Sequence, residues 1–260
     1  MQQITLKKRK LGFQAKEAFK MLRTNVEFSG DELKVIAVTS CVPDEGKSTL
    51  SYQLALSFAE KGKKTLLIDA DLRKSVIQKN TASGNVSKGL TSFLVGKEKL
   101  MDVLVGTDEP NFFMIFAGQV PPNPSELLGS ARFDSMIEAA RKTFDVVIID
   151  TPPVGSVIDA VIVSSRVDGI VLVIKHASIS YQLARHVKEQ LSASGTKILG
   201  VVLNGVGGSG RGFYGKYYGK RYRSNYGYGY RQYLAKYGND PESKTVVSEE
   251  DKDFGMDLKA

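Results

Sequence analysis

Only one cysteine, Cys41, occurs in the 260 residues, so no intrachain disulfide can staple the fold, and a reducing compartment suits the chain. No apolar run approaches the roughly 18–20 residues that a bilayer-spanning helix needs. The basic start (Lys7, Lys8, Arg9, Lys10) is not followed by the apolar core of a signal peptide. These absences predict a soluble, cytoplasmic protein. Acids are also missing from one long stretch. Between Gly210 and Asn239 there are seven Lys/Arg and no Asp or Glu, whereas from Asp240 onward seven acids face Lys244, Lys252 and Lys259. The net charge of +8 therefore belongs mostly to one segment, which weakens it as a sign of a nucleic-acid-binding fold.

What remains, 42% hydrophobic and 25% charged, suits one globular α/β domain with a shorter unstructured piece. Ala15, Ala18, Phe19, Leu22 and Val26 recur at helical spacing and predict a helix over 14–28. Short apolar strands are then expected at 35–39, 64–69, 112–117, 146–150, 169–174 and 198–203. Helices are expected at 47–60, 126–142 and 180–194. Strands that are apolar throughout, joined by helices, indicate a doubly wound, mostly parallel sheet covered on both faces. Gly207–Gly238 is low-complexity and nearly free of aliphatic residues, so it is read as a flexible tail that runs on through the polar 239–260. The expected organisation is a helical region over 1–33, a nucleotide-binding domain over 34–206 and a tail over 207–260.

The first strand runs into Cys41-Val42-Pro43-Asp44-Glu45-Gly46-Lys47-Ser48-Thr49, the end of a P-loop. In that pattern backbone N–H groups at the helix start cradle phosphates, the lysine reaches the β/γ-phosphates and the serine ligates Mg²⁺. Asp44, Glu45, Gly46, Lys47, Ser48 and Thr49 are the candidate nucleotide site. Cys41 stands where the usual first glycine would be. It is either a small filler or, near a helix N-terminus, a reactive thiol. Val146–Asp150 is an apolar strand ending in a carboxylate, the Walker B arrangement. Leu66–Asp69 ends in Asp69, with Asp71 two residues on and Arg73 after it. In a parallel sheet these ends share one edge, so Ser48, Asp69 and Asp150 are candidate metal ligands. Lys47, Asp69 and Asp71 are candidate catalytic groups. Asp71 would converge with Asp69 and Asp150 on the metal and γ-phosphate, or merely cap the next helix. Arg73 would organise these acids or face solvent. His176 and His186 are read as incidental.

On these residues the chain resembles the bacterial tyrosine kinases, P-loop kinases that control capsule and exopolysaccharide export. Ser40–Thr49 looks like their Walker A motif, Leu67–Arg73 their Walker A′ and Val147–Asp150 their Walker B. Gly118–Leu128 is similar to a loop of the family. Glu17, Lys20 and Arg23 resemble its oligomerisation motif, with Lys20 in place of an arginine and so without a bidentate fork. The resemblance implies an ATP- and Mg²⁺-dependent protein-tyrosine kinase that phosphorylates its own tail. The acceptors would be Tyr214, Tyr217, Tyr218, Tyr222, Tyr226, Tyr228, Tyr230, Tyr233 and Tyr237, nine of the eleven tyrosines. It also implies a head-to-tail homo-oligomer, protein substrates, a phosphatase and a separate transmembrane activator holding the kinase at the inner membrane face. Asn204 falls where related ATPases touch adenine. Two other readings stay open. A spatial-regulator ATPase of the septum- or plasmid-positioning type would carry a lysine early in the P-loop, where this chain has Val42. A nucleic-acid-binding ATPase would use the tail but leave the three acids idle.

Overall fold

The computed structural model describes residues 2–7, 11–30, 32–83 and 88–206. The chain divides into two units, Met1–Val206 and Gly207–Ala260, and the second lies outside the described residues. The nine candidate acceptor tyrosines of the tail fall there.

In order, the elements are β1 (Gln2–Leu6), α1 (Phe13–Glu27), β2 (Val35–Ser40), α2 (Lys47–Glu60), β3 (Thr65–Asp69) and, after a 3₁₀ turn, β4 (Thr81–Ser83). There follow α3 (Leu90–Leu94), α4 (Leu100–Val103), β5 (Val105–Thr107), β6 (Phe112–Ile115), α5 (Pro124–Leu128) and α6 (Ala131–Thr143). The chain continues through β7 (Val146–Asp150), α7 (Asp159–Ser164), β8 (Gly169–Lys175), α8 (Tyr181–Ser192) and β9 (Ile198–Asn204). One sheet takes the order β4-β1-β5-β6-β3-β7-β2-β8-β9. From β6 to β9 every pair is parallel.

The central strands are fully apolar because both faces are covered. Val35, Ala37, Leu66, Ile68, Val147 and Ile149 point into a core shared with α3, α5, α6, α7 and α8. Their neighbours Ile36, Val38, Leu67 and Ile148 point the other way, into a core closed by α2 and, behind it, α1. Helix α2 is buried almost all round, from Lys47 through Ala59, so it reads as a core helix rather than an amphipathic one.

The structure departs from the sequence expectation in several places. Residues 2–6, read there as part of a helical region, form a strand that pairs in parallel with β5. Its burial alternates, with Ile4 and Leu6 inward, and two apolar residues are too few to announce a strand. The β5–β6 and β1–β4 pairs are antiparallel, so the sheet is mostly rather than wholly parallel, as expected. The single helix expected at 126–142 is two, α5 and α6. Gly129 ends the first and Ser130 caps the second, its Oγ accepting from the Phe133 N–H.

The other expected elements lie within one or two residues of their expected positions, the usual uncertainty of element ends, whereas β4, β5, α3, α4 and α7 have no counterpart in the sequence expectation.

Candidate active site

The apolar register of the sheet brings the site together. Asp69 and Asp150 are directly paired across β3 and β7, and Asp150 is level with Val38 on β2. Two carboxylates thus end adjacent parallel strands beside the loop that leaves β2. The loop turns sharply there. Asp44 has φ 63° and Gly46 φ 86°, both left-handed. A Cβ on Gly46 would also lie 2.2 Å from Asn204 Nδ2, so only glycine fits.

Lys47, the first residue of α2, is buried rather than poised in solvent. Its Nζ donates to Asp71 Oδ2 at 2.9 Å and to Ser48 Oγ at 3.1 Å, and lies 3.5 Å from Asp150 Oδ2. Ser51, one turn along α2, donates from Oγ to Asp150 Oδ1 at 2.8 Å. Asp69 accepts from the Ser75 hydroxyl and, at 3.2 Å, from the Asp71 N–H. Asp71 Oδ1 accepts from the Lys74 N–H at 3.0 Å. Asp71 therefore caps the turn after β3 with one oxygen while the other holds Lys47. The capping reading of Asp71 is met in a turn rather than at a helix start, and its other oxygen is taken by Lys47.

Three carboxylates around one ammonium leave net negative charge in a dry site. Burial, reinforced by Asp150, pushes the Asp69 carboxyl up to about 8. Burial likewise raises Asp150, although Lys47, Ser48 and Ser51 oppose it. For Lys47 burial alone would favour the neutral amine, but Asp150 and Asp71 outweigh it and hold the ammonium charged. The donors are all oxygens, which suits a hard cation such as Mg²⁺, and the uncompensated carboxylates would be relieved by one. No cluster of three or more His, Cys, Asp or Glu arranged to cage a metal occurs among the described residues.

Glu45 and Asn204 do something the sequence did not suggest. The Glu45 carboxylate is buried and accepts from the N–H groups of Cys41 (2.8 Å) and Val42 (3.0 Å) on one oxygen. Its other oxygen accepts from the Lys175 N–H (3.1 Å) and the Ser178 hydroxyl (2.8 Å). It therefore ties the phosphate loop to the end of β8, and only its backbone is left to meet a phosphate. Asn204 donates from Nδ2 to the Glu45 carbonyl at 2.9 Å and so braces the same loop. Asp44 and Thr49 are exposed at its rim.

Cys41 is fully buried, and burial together with Glu45 pushes its thiol up to about 11. Burial and the raised thiol favour the small-filler reading over the reactive-thiol one. Arg73 neither faces solvent alone nor organises the three acids. It forms a two-pronged pair with buried Asp159, Nε to Oδ2 at 2.8 Å and Nη2 to Oδ1 at 3.0 Å. Ser125 Oγ joins them, donating to Asp159 Oδ1 at 2.6 Å. This knot fastens the chain after β3 to α5 and α7. Ser51, Ser75, Ser125 and Asp159 were missed from sequence because isolated Ser and Asp residues carry no spacing signal.

The oligomerisation candidates separate. Lys20 Nζ pairs with Glu17 Oε1 at 2.7 Å on the outer face of α1. Arg23 turns inward instead, donating from Nη1 to the Ser57 carbonyl of α2 at 2.6 Å.

Comparison with known proteins agrees with this geometry. A family model described as an AAA domain matches residues 33–197. The tyrosine-protein kinase CpsD of Streptococcus agalactiae is 48% identical over 209 residues, covering 80% of this chain and 91% of that protein. The kinase domain of the Escherichia coli tyrosine kinase ETK superposes with a TM-score of 0.71 at 32% identity, covering 78% of this chain and 89% of that one. More distant is the septum site-determining protein MinD of Pyrococcus horikoshii, solved with Mg-ADP. Its TM-score is 0.59 at 25% identity, with 68% of this chain and 72% of that one covered. With its P-loop, its two acidic strand ends and these relatives, the chain belongs to the bacterial P-loop tyrosine kinases.

Proposed function

We propose that this protein is an ATP-dependent protein-tyrosine kinase that phosphorylates its own tyrosine-rich tail and thereby regulates capsule or exopolysaccharide synthesis. The observation that carries the reading is the buried Lys47 ammonium held by Asp71 and Asp150 at the start of α2. A buried cation beside carboxylates at the start of the helix after a P-loop supports a γ-phosphate site there. The MinD resemblance is the weaker one, and Val42 stands where such ATPases carry a lysine.

Ser48, Asp150 and Asp69 would hold a Mg²⁺ ion, which would supply neutralisation of phosphate charge. The amides of 44–49 receive the phosphates, and the loop is already braced by Glu45 and Asn204. Lys47 transfers its hydrogen bonds from the carboxylates to the phosphate. That frees Asp71 Oδ2 to accept the tyrosine hydroxyl proton, while the Lys74 N–H keeps the carboxylate aimed through Oδ1.

No helix of the described residues is long and apolar enough to cross a membrane. Work at the membrane would thus depend on a transmembrane activator, with a phosphatase resetting the tail and a head-to-tail oligomer delivering it. Incubation with Mg-ATP followed by mass spectrometry of 207–260 tests the reading. Phosphotyrosine in the wild type and none in Lys47→Met is expected. ATP hydrolysis with an unmodified tail would instead favour the spatial-regulator ATPase.

A further inference from the structure

Two tyrosines lie within the described residues, and they could hardly differ more. Tyr52 is in the core under β6, 3% exposed and edge-on to Phe112. Tyr181 is 80% exposed at the first position of α8. Core packing therefore does not explain Tyr181.

Its placement relates it to the phosphate loop. Helix α8 follows the C-terminal end of β8, on the same sheet edge as the ends of β2, β3 and β7. The link between β8 and α8 is hydrogen-bonded to Glu45 of the loop through the Lys175 N–H and the Ser178 hydroxyl. Tyr181 is three residues beyond Ser178. Its electrostatic surroundings also suit the site. An acceptor must approach three carboxylates, so acidic flanks would repel it. Residues 169–188 contain no Asp or Glu but do contain Lys175, Arg185 and Lys188. The tail segment 210–239 is likewise acid-free and tyrosine-bearing.

We propose that Tyr181 is an autophosphorylation site of the folded domain, separate from the tail. This rests on the kinase reading above. The step transfers the γ-phosphoryl group of ATP to the Tyr181 oxygen; the γ-phosphorus bond to the β–γ bridging oxygen breaks, ADP leaves and the hydroxyl proton goes to a carboxylate. The product is accommodated where it forms. A phosphate at the start of a twelve-residue helix meets the positive end of the helix dipole, and α8 has no acid in its first turn. Arg185, one turn on and now donating to Glu189 at 3.0 Å, can turn to it.

The test uses the full-length wild-type chain. After incubation with Mg-ATP, trypsin cleavage at Lys175 and Arg185 releases a peptide spanning 176–185 with Tyr181 as its sole tyrosine. Phosphate on that tyrosine, absent from Lys47→Met protein, is expected, while the peptide bearing Tyr52 stays unmodified. In a chain with all nine tail tyrosines changed to phenylalanine, the remaining phosphotyrosine should fall to the Lys47→Met baseline on adding Tyr181→Phe. Wild type with a phosphorylated tail but an unmodified 176–185 peptide would overturn this inference and leave the kinase reading intact. If neither tail nor peptide is modified, both fall.

Discussion

Replacing Lys47 with methionine should do more than abolish phosphorylation, because its ammonium is part of the packing. In the free protein it compensates Asp71 at 2.9 Å and Asp150 at 3.5 Å, all three groups being buried. Removing one partner of a buried pair typically costs about 3–5 kcal/mol. For a folded unit of this size each kcal/mol moves Tm by about 2–4 °C, so a fall of about 6–20 °C is expected at high pH. The cost should depend on pH in a definite direction. Asp69 already binds its proton up to about pH 8, and Asp150 is shifted the same way. Without Lys47 their carboxyls move higher still. A carboxylate whose folded pKa exceeds the unfolded value destabilises fully above the folded pKa, and the penalty disappears as pH falls toward the unfolded value near 4. The gap between wild type and Lys47→Met should therefore be largest near pH 9 and shrink steadily toward pH 5. Urea melts in EDTA, without nucleotide, measure it. A gap independent of pH, or no gap at pH 9, would refute the idea that Lys47 compensates these carboxylates.

Asp159→Asn should cost about 3 kcal/mol by loosening Arg73 and Ser125, and Arg73→Ala a similar amount because Asp159 stays buried. Urea midpoints check this, and strictly additive losses in the double variant would contradict a shared knot. Native Cys41 should resist alkylation at pH 8, where a thiol raised to about 11 is protonated and out of reach, and should react once unfolded. Labelling at the rate of a free thiol would show the loop to be open. Asp150→Asn should weaken Mg-nucleotide binding more than Asp71→Asn does, since Asp150 is placed for the metal and Asp71 for the hydroxyl; equal losses by calorimetry would contradict that division. Arg23→Ala should lower stability by about 1–3 kcal/mol, by uncapping the Ser57 carbonyl. Glu17→Ala removes only an exposed pair worth less than about 1 kcal/mol. Light scattering on both shows whether either also reduces assembly.

The central part of the fold was legible in sequence because its signals are local. Fully apolar runs such as Val35–Thr39 and Val146–Asp150 can be satisfied only by a sheet covered on both faces, and the Gly-Lys-Ser run after the first of them placed the phosphate loop. The carboxylates were legible too, since an acid at the end of an apolar strand stands out against its neighbours. The edge strands were not, because a five-residue strand with two inward apolar residues, such as β1, resembles many unstructured stretches. Nor could composition decide where each polar side chain turns. Glu45 reads as a loop acid beside a phosphate site, yet the folded chain aims it at two donors of its own loop and two from a segment some 130 residues away. Arg23 reads as an outward charge beside Lys20, yet α2 offers it a bare carbonyl at a helix end. Arg73 follows two acids in sequence but finds its partner 86 residues away. Periodicity and spacing are properties of consecutive residues and so determine elements and motif positions. Hydrogen-bond partners are set by which chain ends the strand order brings to one edge, and only the tertiary structure decides that.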